Sequence, residues 1–150
     1  MAIVWVLVAF PHVKLGGGMF SFFTELNRKR PPLQELDFIT NTTSPIVHAA
    51  DDRSVMETLE ALPWQIKTAQ VFSNGTPHRI GPSGIGARDN PHGKTFSDNP
   101  DNGRICLAKM DPRQRGLFSA AWTLAYVAEL VRAGVDRISM AAPKIGRAHV

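Results

Sequence analysis

Four polar clusters hold the side chains that could do chemistry. The first is Thr24-Glu25-Leu26-Asn27-Arg28, directly after an aromatic run. There Glu25 can serve as general acid or base, while Asn27 and Arg28 can orient a polyol or a carboxylate. The plainer alternative is a surface ion-pair network. The second is His48-Ala-Ala-Asp51-Asp52, in which His48 and Asp51 can share a proton or hold a metal. Otherwise the two aspartates complement the start of a helix. The third joins His78-Arg79 to Gly81-Pro-Ser83-Gly-Ile-Gly86. Ile85 stands where a nucleophile elbow needs its last glycine, and Asp89 stands where a dinucleotide fingerprint needs one. What remains is a tight turn that would present Ser83 to a substrate, or ordinary turn chemistry. The fourth, Arg88-Asp89-Asn90 with His92, lies in a long polar loop whose composition suits closing over a substrate.

Several function classes are excluded. The sequence has no H-x-H, H-E-x-x-H or C-x-x-C pattern, so no metal is expected. Cys106 is the only cysteine, which rules out an internal disulfide. The charge of +4 is modest, and apart from Arg28-Lys29-Arg30 the cations are scattered. Nucleic acid is therefore not an expected partner. The apolar start, residues 1–10, lacks a basic leader and is too short for a bilayer, which needs about 20 residues. It reads as a buried strand or helix, with no membrane partner and a cytoplasmic location. The oligomeric state is not legible.

These clusters need elements to position them. Strand signals recur at Met19–Phe23, Leu36–Thr40, His78–Gly81 and Val135–Met140. Gly16-Gly17-Gly18 reads as a turn before the first, and Thr24–Arg28 as a loop or short turn after it. Ser54-Val-Met-Glu57 fits a capping box opening a helix. Pro63 kinks it or starts a second segment to about Ser73, closed by Asn74-Gly75. Asp111-Pro112 caps the strongest helix. Its apolar face would be Leu117, Ala120, Ala121, Leu124, Val127, Ala128 and Val131, and Gly134 would end it. Alternating strands and helices predict an α/β fold, a partial (β/α)8 TIM-type barrel of about four parallel strands with flanking helices. A whole barrel takes about 250 residues, so residues 1–144 supply roughly half of one. Residues 145–150, Ile-Gly-Arg-Ala-His-Val, match a translated sequencing-adapter oligonucleotide and are expected to be a non-native tail.

The stretches Gly16–Arg28, Ser44–Pro63, Arg79–Ser83 and Asp111–Phe118 together resemble the D-apionate lactonase family, over roughly residues 16 to 144. The resemblance implies a bacterial enzyme of branched-sugar catabolism, with a barrel related to glycoside hydrolases and a β-rich accessory region. It implies hydrolysis of a small sugar lactone, D-apionolactone, to D-apionate, with no nicotinamide, flavin or nucleotide cofactor. Such chemistry needs a base to activate water, donors for the oxyanion and a proton for the ring oxygen. Glu25 or His48 fits the base, and Arg28, Asn27 or Asn41 the developing charge. Two alternatives keep the same residues. One is a glycosidase in which Glu25 is one of two carboxylates. The other is an inactive half-barrel whose open strand edges associate.

Overall fold

One parallel sheet organises the chain, in a computed structural model that describes residues 10, 12–90, 93 and 95–140. Its strands are β1 (Gly16–Phe22), β2 (Phe38–Thr42), β3 (His78–Ser83) and β4 (Arg137–Met140), hydrogen-bonded in chain order and all parallel. The α-helices are α1 (Phe23–Arg28), α2 (Asp52–Glu57), α3 (Leu62–Ser73) and α4 (Leu117–Arg132). Four parallel strands are half of an eight-stranded barrel, and β1 and β4 each keep one unpaired edge among the described residues. The expectations for residues 1–9 and 145–150 fall outside the described residues.

The three glycines open β1 and do not form a turn. A side chain at Gly16 would run into the Phe38 ring, and one at Gly18 into the Thr40 carbonyl. Glycine is present because β2 approaches this closely, and Gly18 also has φ +148°. Thr24–Arg28 is likewise no loop. The strand passes straight into α1, closed where Lys29 N–H bonds the Glu25 carbonyl, and Pro31-Pro32 forbids continuation. Ahead of α2 the cap is Asp51, whose carboxylate accepts from Ser54 N–H at 2.9 Å, so Ser54 is the capped residue and not the cap. Pro63 sits in the first turn of α3, and Asn74 ends that helix in the left-handed region, φ 49°. Asp111 caps a short 3-10 turn, Pro112–Arg115, with Gln114 completing a capping box.

The main core lies between the sheet and the helices, where Ile80 of β3 belongs to one cluster with Val55, Ile66 and Trp122. A smaller cluster joins Ile39 to Leu26 and Ala69. Here α4 departs from the expected face. It buries Trp122, Tyr126 and Leu130, with the two aromatic rings stacked at 4.7 Å, while Leu117, Leu124 and Val131 are exposed. This helix is apolar on more than one side, so periodicity alone does not choose the inward face. The aromatic residues, with the most area to bury, take the core. No helix among the described residues is long and apolar enough to cross a membrane.

Candidate active site

Barrel enzymes build their sites where strands end, because loops from successive strands converge there. In this sheet that end carries Glu25, Thr43, Ser44, Ser83 and Arg88. Glu25 is nearly buried in the first turn of α1, and its carboxylate lies 3.6 Å from the Arg28 guanidinium one turn on. Helix geometry makes that pair, since residues three apart share a face. Arg28 itself is mostly exposed. The Asn27 side-chain oxygen accepts from Arg30 at 2.8 Å, and Arg30 in turn stacks over Phe72.

The other candidates lie apart from this pair. His48 is exposed in the loop between β2 and α2 and makes no hydrogen bond among the described residues. Asp51 is exposed and occupied as the α2 cap, and the Ser54 hydrogen bond lowers its pKa. Its neighbour Asp52 bridges Arg104 at 2.8 Å and Arg113 at 2.9 Å. Among the described residues no group of three or more His, Cys, Asp or Glu could hold a metal.

Asn41 and Ser83 point into the protein. Side chains alternate along a strand, so Asn41 shares the helix-covered face with Ile39, as His78 does with Ile80. The two polar groups meet there, His78 Nε2 lying 2.7 Å from Asn41 Oδ1. Asn41 Nδ2 donates to the Thr42 carbonyl, which leaves Oδ1 as acceptor and puts the imidazole proton on Nε2. Nδ1 is buried without a partner among the described residues. Ser83 is fully buried, so the turn does not expose it. Its hydroxyl receives the Thr43 N–H at 3.2 Å and the Thr43 hydroxyl at 3.1 Å, and Thr43 meets Tyr126 Oη at 2.6 Å. Burial raises the Tyr126 pKa, so its proton stays in place. This chain fastens the ends of β2 and β3 to α4. Composition gave no signal of it, because Thr43 and Tyr126 lie 83 residues apart.

Burial pushes the His78 pKa down from 6.5 to about 4. Between those values the unfolded chain binds a proton that the folded chain refuses, so stability is complete above about pH 6.5 and falls as pH drops to 4. The loss expected over that window is on the order of 3 kcal/mol. Urea unfolding at pH 7.5 and pH 4.5, on the protein and on His78→Gln, measures it. An equal pH dependence in both proteins would remove His78 as the cause.

The open face of the sheet, opposite the helices, carries Phe20, Phe38, Thr40 and Arg79. Arg79 stacks on the Phe38 ring at 3.9 Å and pairs with Asp136 at 2.9 Å. Both lie where β3 and β4 begin, at the far end from Glu25, where side chains serve stability.

Residues 5–149 match the family model described as D-apionate lactonase, TIM barrel domain. The chain is similar to the D-apionate lactonase of Brucella anthropi, at 49% identity over 134 residues. That alignment covers 89% of this chain and 22% of the relative's length. No solved structure matches.

Proposed function

Because this chain belongs to the D-apionate lactonase family through its TIM-barrel domain, we propose that the barrel it helps to form opens D-apionolactone to D-apionate. The observation that carries this reading is the family match, which runs through all four parallel strands. The substrate is a small sugar-derived lactone, and the reaction takes place in the cytoplasm without a cofactor.

In this reading the Glu25 carboxylate takes a proton from water, and the hydroxide attacks the lactone carbonyl. Negative charge collects on the carbonyl oxygen and is met by Arg28, with Asn27 placing the sugar hydroxyls through its amide Nδ2, since its oxygen is taken by Arg30. Collapse breaks the ring C–O bond, and the proton held by Glu25 passes to the departing oxygen. A hydroxy acid forms and Glu25 returns to its starting state. His48, exposed on the loop after β2, is the second candidate base. Asn41, Ser83 and Asp51 serve the fold, since each is engaged in the hydrogen bonds described above.

The test is acid release from D-apionolactone, followed by NMR, with aryl glycosides assayed in parallel. Acid release without glycoside cleavage is the expected result. Glycoside cleavage without lactone opening would overturn the reading in favour of a glycosidase.

A further inference from the structure

A groove of about 800 Å³ runs between the ends of β3 and β4 and the beginning of α4. It opens at the end of the sheet that carries Glu25. Its lining includes the apolar side chains of Leu124, Val127 and Met140. Three cations share that lining: Arg88, Lys109 and Arg115.

Arg88 is poorly provided for. Its side chain is half-buried, and its Nε is shielded from solvent with no hydrogen-bond partner among the described residues. Burial lowers its pKa, against a smaller opposing effect from Asp89. A guanidinium nonetheless stays charged in proteins, so the strain is met by finding an anion and not by losing the proton. Asp89 does not fill that need, because it is exposed and pairs with Lys109 at 3.2 Å. Two polar side chains of the lining are already engaged: Ser83 receives Thr43, and the Gln114 oxygen accepts Asp111 N–H. Three cations and one carboxylate leave the rim with a surplus of two positive charges. The apolar residues of the lining weaken solvent screening of any ion pair made there.

We propose that this groove is a carboxylate subsite, in which Arg88 grips the acid group of the open sugar acid and Lys109 and Arg115 supply longer-range attraction. The inference rests on the lactonase reading for the identity of the ligand, and it gives the free acid a second cationic stop once its carboxylate has left Glu25 and Arg28. The planar guanidinium fork matches a carboxylate, whereas the closed lactone carries no charge to hold. The subsite therefore favours the open acid over the lactone, and product release carries part of its cost.

The test is calorimetric binding of D-apionate and D-gluconate at low salt, with neutral erythritol as control. Arg88→Gln is expected to weaken both acids by about 10- to 100-fold, the worth of a hydrogen bond to a charged group. Erythritol binding stays unchanged, and Arg88→Lys recovers only part of the loss. If Arg88→Gln fails to fold, Arg115→Gln replaces it, with a loss of about threefold that vanishes in high salt. Acid binding that is absent in the unaltered protein, or equal in Arg88→Gln, would overturn the subsite. Arg88-dependent acid binding in a protein that opens no lactone would sink the lactonase reading and keep the subsite.

Discussion

Glu25→Gln is expected to lower lactone turnover by roughly 10²–10⁴, the usual size of a general acid–base contribution. Glutamine keeps the shape of the side chain and its hydrogen-bonding reach, but it cannot accept and return a proton. Substrate binding should therefore change little, so kcat falls and KM does not. The position supports this expectation. Glu25 is 8% exposed, lies at the end of the sheet where barrel sites form, and has one ion-pair partner among the described residues, the 3.6 Å contact to Arg28. A purely structural Glu25 makes a different prediction. Losing a long contact to a mostly exposed arginine costs up to about 1 kcal/mol and leaves turnover per folded molecule intact. Measuring kcat alongside thermal unfolding separates the two. Near-normal turnover with a lowered melting temperature would move the base to His48.

The sequence carried the sheet well and its detail unevenly. Parallel strands in chain order follow from strand and helix signals that alternate, because a parallel pair needs a crossover between its strands. Boundaries shifted where a residue type serves two purposes. Gly16-Gly17-Gly18 has the composition of a turn, yet it is glycine because the Phe38 ring and the Thr40 carbonyl leave no room for side chains. Ser54 and Asp51 are both good caps, and only the geometry shows that Asp51 does it. Among the candidate residues, the Glu25–Arg28 pair becomes visible once the segment is helical. The inward turn of Asn41 was legible in principle. Ile39 fixes the covered face of β2, and a side chain two residues on must share it. The bonds from Thr43 to Ser83 and Tyr126 were not legible, because they depend on how α4 lies on the sheet. That docking is decided by the bulk of Trp122 and Tyr126, and not by the longer apolar stripe.

Arg113→Met is expected to destabilise the fold by about 3–5 kcal/mol, enough to unfold a protein whose total stability is about 5–15 kcal/mol. Arg113 and Asp111 are both almost fully buried, and their side chains meet in two bonds, at 2.9 and 2.7 Å. Donating these hydrogen bonds to Asp111 raises the Arg113 pKa above its usual range. A third bond runs from Arg113 to Asp52 at the start of α2, and Arg104 also reaches Asp52. Removing the guanidinium strands the Asp111 carboxylate away from water, which costs more than the pair contributes. Its replacement Met fills much of the volume, so the loss comes from the charge and not from a cavity. The double variant Asp111→Ala with Arg113→Met removes that stranded charge. It should recover most of the stability, short by about 1 kcal/mol for the Asp111 cap. The consequence reaches the proposed site, since the cluster holds the Pro112–Arg115 turn from which Arg115 reaches the groove. Backbone bonds from Ala87 to Ala108 and from Leu107 to Ile46 tie the Arg88 loop to the same region. Urea unfolding of the single and double variants measures the coupling. A single variant within 1 kcal/mol of the unaltered protein, or a double variant worse than the single, would show that Asp111 and Arg113 do not depend on each other.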